Sequence, residues 1–364
     1  MIKKRILYLM HVDWRWIKQR PHFIAEALSD FYDVTVVHFC SKRYLFGSSD
    51  VLTDNKKNLN LLPAFRLPFY QNNIVYLFNK FYMKIYFKIL IKKYDPDFIW
   101  ITFPQLYDYI PSDTRCKIIY DCMDEATGFD FQDSFKSRIM ELEKKLVNDA
   151  SIVFTSSNYL FKTLNKNYQC KDKLVLVRNA FGGKIIDNQV NHDKIKETFK
   201  IGYVGTISKW IDFEKIKITL DEIKNIEYHF IGPCELETIE LTQQDRVKFY
   251  GPISYDKLYD HVKSFDCLIV PFKVDNKIKS ADPGKLYGYI NYDKPIISVY
   301  YEELDYFSPF VYFYSDASEL THLLKEMIKK GFPRKYSDSE RVDFLKSNSW
   351  DLRVYKIFKS LTKI

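Results

Sequence analysis

The chain has 364 residues, enough for two domains of ordinary size. Its formal net charge is +8, which suits an acidic partner such as nucleotide phosphates or anionic lipid headgroups. There is no Arg-rich tract, zinc-finger spacing or RNA-binding aromatic signature, so nucleic acid is not the expected partner. The six cysteines are scattered without a Cys-x-x-Cys pair, which fits a reducing cytoplasm and argues against a structural zinc.

Residues 5–10 form a short apolar run behind a basic start. The run is too short for a secretory leader and reads as a first β-strand. A loop, His11 to Trp16, follows it. Gln19-Arg20-Pro21 then opens a helix with Phe23, Ile24, Ala27 and Leu28 on one side, and 34–39 is the second strand. A β-α-β start predicts a parallel sheet, whose ligands bind at the carboxyl ends of the strands. The loop 11–16 is therefore expected to face a cleft.

Residues 73–93 read as one helix. Lys80, Lys84, Lys88 and Lys92 form one stripe, and Leu77, Phe81, Ile85 and Ile89 the next. Two situations fit it. One is a largely buried helix with a solvated lysine edge. The other is a helix lying on an anionic membrane surface, with Lys80, Lys84 and Lys88 snorkelling and the aromatics embedded. No uncharged stretch is long enough to span a bilayer.

Strands are predicted at 98–102, 117–120, 151–155 and 174–177, and a charged amphipathic helix at 134–149. The strand 117–120 ends in Asp121-Cys122-Met123-Asp124-Glu125. A first domain is expected over 1–183, a polar linker over 184–199, and a second β/α domain over 200–348. Its strands are 201–206, 227–231, 247–250, 267–270 and 296–299, with Ser254 capping a helix and another helix at 318–330. An amphipathic helix, 350–361, closes the chain within a last segment, 349–364. Between the strands ending at Val270 and starting at Ile296 lies a lysine-rich loop and a helix. Asp282 is expected to cap that helix, with Pro283 in its first turn. A helix N-terminus carrying Lys285, behind the end of a strand, is a ready anion site.

An ordered set of residues now points to a family. The set is Gly202-Tyr203-Val204-Gly205, Phe249-Tyr250-Gly251-Pro252-Ile253, Asp266 to Phe272, and Pro283-Gly284-Lys285-Leu286-Tyr287-Gly288-Tyr289 before Lys294-Pro295. It resembles the donor-binding half of two-domain GT-B glycosyltransferases, most closely those of bacterial capsule, O-antigen and teichuronic-acid pathways. Asp13-Trp14 followed by Gln19-Arg20-Pro21 is similar to their opening βα turn. Tyr120-Asp121 with Asp124-Glu125 resembles their central strand end, and Ser349-Trp350-Asp351 their closing element. The resemblance implies an α/β architecture of two Rossmann-like domains facing across a cleft, with the C-terminal helix crossing back to the first. It also implies sugar transfer from a nucleotide sugar to a lipid-linked or oligosaccharide acceptor of a bacterial surface polysaccharide, at the cytoplasmic face of the membrane.

The chain departs from the family at one place. The helix there usually reads Lys-Leu-Tyr-Glu-Tyr, and its Glu holds the donor ribose; here that position is Gly288. The acidic residue often found eight positions earlier is replaced by Ser280. Retention or inversion of configuration is left open.

Transfer expels a nucleoside diphosphate, so the site must stabilise growing negative charge. Fixed lysines and helix N–H groups do this without a metal, and no dense carboxylate cluster calls for Mg²⁺; no cofactor is expected. The resemblance points to Gly205 for the donor, position adds Lys209 and Lys285, and Ser280 offers a hydroxyl to a phosphate or ribose oxygen; Thr206, Pro271, Pro283 and Leu286 complete the candidate donor-binding set. Asp13, His11 and Asp124 are candidate bases for deprotonating the acceptor hydroxyl. Trp14, Arg20 and Asn179 are candidates for the acceptor side. Two other functions remain: a nucleotide-sugar epimerase of the same fold, and a non-catalytic glycosyltransferase-like binding subunit. A nicotinamide dehydrogenase is disfavoured, because no Gly-x-Gly-x-x-Gly follows any strand.

Overall fold

The computed structural model describes residues 3–40, 59–187, 197–236 and 244–364. The chain divides into two compact units. Unit 1 comprises Met1–Asn179, Ser280–Asp282 and Trp350–Ile364; unit 2 comprises Ala180–Lys279 and Pro283–Ser349. Part of the expected linker, 188–196, lies outside the described residues.

Unit 1 is built on a seven-stranded sheet in the order β3-β2-β1-β4-β5-β6-β7. The strands are β1 (Arg5–Met10), β2 (Asp33–Cys40), β3 (Leu59–Phe65), β4 (Phe98–Ile101), β5 (Lys117–Cys122), β6 (Ala150–Thr155) and β7 (Leu174–Leu176). Every pair is parallel. A parallel sheet is covered on both faces, so its inner strands are apolar runs rather than alternations. β1 shows this, with Ile6 to Met10 all buried.

The helices that cover the sheet follow from capping and patterning. Helix α1 (Arg20–Leu28) starts at the predicted place, with Gln19 as N-cap and Pro21 in its first turn. The other helices of this unit are α2 (Asn73–Tyr94), α3 (Pro104–Tyr107), α4 (Asp133–Asp149) and α5 (Asn158–Tyr168). Asn72 caps α2 by accepting from the N–H groups of Ile74 and Val75. The last segment of the chain also belongs to unit 1. Its helix, α12 (Trp350–Leu361), packs on α1, with Trp350 stacked on Phe23 at 5.1 Å.

Unit 2 carries a six-stranded, all-parallel sheet in the order β10-β9-β8-β11-β12-β13. The strands are β8 (Phe199–Val204), β9 (Ile226–Ile231), β10 (Val247–Phe249), β11 (Cys267–Val270), β12 (Ile296–Val299) and β13 (Val311–Tyr314). Its helices are α6 (Phe213–Glu222), α7 (Tyr255–Val262), α8 (Asn276–Ser280), α9 (Gly284–Asn291), α10 (Ala317–Lys330) and α11 (Asp338–Ser347). Helix α9 buries Leu286, Tyr287 and Ile290 in the core, as its spacing predicts.

Both sheets are doubly wound, as the sequence leads one to expect. Each therefore has a point where the strand order reverses: between β1 and β4 in unit 1, and between β8 and β11 in unit 2. Ligands of such sheets bind beyond the strand ends at that point.

Candidate active site

In unit 2, Gly205 lies just past β8, and Pro271 just past β11, so both stand at the point of reversal. The loops after β8, β9 and β10 are laced together by their backbones. Gly205 N–H donates to Ile231 O at 2.9 Å, and Gly232 N–H to Gly251 O at 2.9 Å. Gly205 sits at φ +142°, a conformation that side-chain-bearing residues avoid. A Cβ at Gly232 would come within 2.1 Å of Gly205 O, so the close approach of the two loops requires glycine there.

Lys285 lies against this turn. A Cβ built on Gly205 would stand 3.0 Å from its Nζ. The ammonium donates to the Tyr203 hydroxyl at 2.7 Å and sits 4.1 Å from the Tyr203 ring and 4.5 Å from the Phe272 ring. The Tyr203 hydroxyl in turn donates to Thr206 O at 2.8 Å. Among the described residues no carboxylate pairs with Lys285. Burial therefore pulls its proton affinity down, to a pKa of about 7. Two aromatic faces and a phenol stabilise a cation, but they do not neutralise it.

The other donor candidates are placed less uniformly. Lys209 is exposed, and Leu286 is fully buried in the core of unit 2. Pro283 is the N-cap residue of α9 and is buried. Ser280 belongs to unit 1, where Ser157 Oγ donates to its carbonyl at 2.6 Å.

Asp282 does not cap α9, contrary to the reading of the sequence. Its carboxylate belongs to unit 1, accepting from Arg178 Nη1 at 3.1 Å and from Asn179 N–H at 2.6 Å. A charged guanidinium and a main-chain N–H outcompete a helix-capping contact, because charge-assisted bonds are the stronger kind. Asn179 also donates from Nδ2 to Asp282 O at 2.6 Å, so it is engaged along its length.

In unit 1 the point of reversal lies between His11, after β1, and Thr102, after β4. His11 N–H donates to Thr102 Oγ1, and His11 Nδ1 lies 2.8 Å from the same hydroxyl. Burial, helped by the charge of Arg66, lowers His11 to a pKa of about 4, so its imidazole is neutral at pH 7. Asp13 is held by Arg15 through both carboxylate oxygens, at 3.1 and 3.0 Å. Burial alone would raise the Asp13 carboxyl, but hydrogen bonds and charge from Arg15 outweigh it and keep the group below its usual value. Asp13, His38 and Cys40 bring ligand-type atoms within 4.8 Å of one another, yet the guanidinium of Arg15 already occupies the Asp13 oxygens. Asp124 is partly exposed beyond β5. Trp14 is buried, with its ring 5.0 Å from that of His22.

Arg20 is 4% exposed and gives three bonds to Asp121, the shortest 2.7 Å, and one to Val177 O at 2.7 Å. It holds β5 and the strand exit at Val177 together. Lys80 bonds to Asp108 at 2.8 Å, Lys84 is partly exposed and Lys88 exposed. Tyr203 and Phe272 stand within the ordered set of residues, but the sequence assigns no site role to them or to Gly232; their contacts with Lys285 and Gly205 emerge only from the fold.

Comparison with solved structures identifies the fold as GT-B. A sucrose-phosphate synthase from Thermosynechococcus elongatus superposes with a TM-score of 0.79 at 12% identity, covering 99% of both chains. HepE (Alr3699) of Anabaena, solved with UDP-glucose, gives 0.68 at 12% identity over 99% of this chain and 100% of its own. The lipopolysaccharide outer core galactosyltransferase WaaB gives 0.65 at 13% identity over 99% and 100%. No protein-family model matches the sequence, and no curated protein matches it.

Proposed function

We propose that the chain is a nucleotide-sugar-dependent glycosyltransferase, acting on a lipid-linked acceptor of a bacterial surface polysaccharide. One observation carries the reading. A part-buried lysine with no carboxylate partner among the described residues stands against a glycine turn at the reversal point of a parallel sheet. Such a cation is matched by an anion from outside the chain, and a diphosphate is the anion that glycosyl transfer releases. The N-terminus of α9 adds its N–H groups to the same charge. Three solved structures of matching fold, a sucrose-phosphate synthase, a galactosyltransferase and a protein solved with UDP-glucose, support the reading.

The chemistry divides by unit. As the anomeric C–O bond breaks, its electron pair goes to the diphosphate, and Lys285 stabilises that charge with no metal required. The acceptor hydroxyl attacks the anomeric carbon and loses its proton to a base. Asp13 is already bound by Arg15, whereas His11 is neutral at pH 7, so His11 is the candidate taken as the base. Its low proton affinity makes it a weak base, which helps only after the hydroxyl has begun to bond.

The test is nucleotide release from a panel of UDP-, GDP-, CMP- and dTDP-sugars, with and without a lipid-linked acceptor. Release that depends on acceptor is expected. The Lys285→Met variant should lose roughly a hundredfold in kcat/KM. Sugar isomerisation without acceptor would show an epimerase instead. Failure to bind any nucleotide would leave a non-catalytic subunit and reject the transferase.

A further inference from the structure

Helix α2 is not the largely buried element that its composition allows. It buries Tyr76, Asn79, Met83, Phe87 and Leu90 against the sheet of unit 1. The opposite face carries Ile74, Leu77, Phe78, Phe81, Ile85 and Ile89, each between 49% and 71% exposed. These positions recur at three- and four-residue spacing, so they form one continuous stripe along a helix of 22 residues, about 33 Å long. Single exposed apolar residues need no explanation, but a contiguous stripe of this size does.

Charge says what covers it. The helix contains five lysines and no acidic residue. Lys80 is spent on Asp108, but Lys88, Lys92 and Lys93 are exposed beside the apolar stripe and Lys84 is partly so. A second copy of the chain would bring lysine flank against lysine flank, with no carboxylate on the helix to meet either. An anionic lipid surface meets both features at once: acyl chains take the apolar side chains, and headgroups take the ammonium groups. Among the described residues no helix is long and apolar enough to cross a membrane, so α2 would lie in the interface rather than span it. Just before the helix, Phe69 is 79% exposed and extends the same apolar character to its N-terminal end.

We infer that α2 is a membrane-docking helix whose apolar face, more than its lysine row, enters an anionic bilayer. The inference deepens the lipid-linked reading of the acceptor, but it rests on the exposed face and not on the transfer chemistry.

The full chain is sedimented with mixed phosphatidylglycerol–phosphatidylcholine vesicles and with pure phosphatidylcholine vesicles. It should sediment with the mixed vesicles and far less with the neutral ones. The triple variant Phe78→Ser, Phe81→Ser, Ile85→Ser should weaken binding at least about tenfold. The triple variant Lys84→Gln, Lys88→Gln, Lys92→Gln should weaken it by roughly tenfold and remove the preference for anionic lipid. In a Phe78→Trp variant, tryptophan emission should shift to the blue on vesicle binding. All substituted positions are solvent-facing, and circular dichroism checks that each variant folds. Unchanged sedimentation of the serine variant, no blue shift, or a wild-type protein that stays in solution each overturns the inference. So does a dimer that the serine variant converts to monomer, since a second copy would then cover the face. Retained UDP binding in the serine variant separates failure here from failure of the donor site.

Discussion

The two sheets share one winding, but their points of reversal treat charge in opposite ways. In unit 1 the charged groups nearby are matched from within: Arg20 with Asp121, Arg178 with Asp282, Asp13 with Arg15. In unit 2 Lys285 rests against the Tyr203 phenol and the Tyr203 and Phe272 rings, and among the described residues no carboxylate answers it. The same fold therefore carries an internally paired network on one sheet and, among the described residues, a cation without a carboxylate on the other. Internal pairing holds strand exits in place, whereas the lysine is the group that the proposed function assigns to an incoming anion.

The largest effect should come from breaking the internal pairing. Arg20→Leu leaves the fully buried Asp121 carboxylate without its partner and should cost about 3–5 kcal/mol of stability. Chemical denaturation would measure it. A loss near zero would mean that the pair is not the anchor of unit 1, and the contrast would collapse.

The next effect is a pair of opposing pH slopes, both traceable to Lys285. Its folded pKa of about 7 lies below the unfolded value of about 10.4. Burying it is therefore a penalty in full force below pH 7 and relieved as pH rises from 7 toward 10.4. Stability of the free protein should rise through that window, and Lys285→Met should remove this rise. UDP binding needs the ammonium, so affinity should fall above pH 7, by up to about tenfold per unit. Calorimetry at pH 8 should record proton uptake on binding. A flat affinity profile would show that the lysine does not meet the diphosphate.

The smallest effect concerns Gly288. A Cβ there meets nothing within 4 Å, and the residue lies inside α9. Gly288→Ala should stabilise the free protein by up to about 1 kcal/mol, from helix propensity alone. If thermal stability rises while UDP affinity drops, the missing side chain is there to let the nucleotide approach.

How much of this the sequence shows depends on burial. Strands closed on both faces are apolar runs, so β1 and β11 coincide with their predicted limits. Edge strands are harder. β3 is half-exposed and contains Pro63, and β13 is only four residues long with no burial alternation, so neither shows a strand pattern despite the strand-favouring residues of β13. Helix α11 has only Arg341 and Leu345 buried and therefore no apolar stripe. Its one signal is the capping box of Ser337 and Glu340. Placement was legible where it is local, as for Gly205 just past β8 and Lys285 in the first turn of α9. It was not legible where long-range pairing decides, as at Asp282, whose carboxylate answers Arg178, 104 residues away. In α2 the lysine row was plain, but which apolar stripe stays in water depends on the sheet beneath it.

The makeup of unit 1 has a bearing on synthesis. Its helix α12 and the tripeptide Ser280–Asp282 follow most of unit 2 in the chain. Domains usually fold as they leave the ribosome, N-terminal first. Here the leading unit lacks the partner of Arg178 until residue 282 emerges, and the packing mate of α1 until Trp350 follows. The half that is made first is thus the half that is finished last, and a gene cut at the boundary after Asn179 would deliver unit 2 with all its residues but unit 1 without its last two segments.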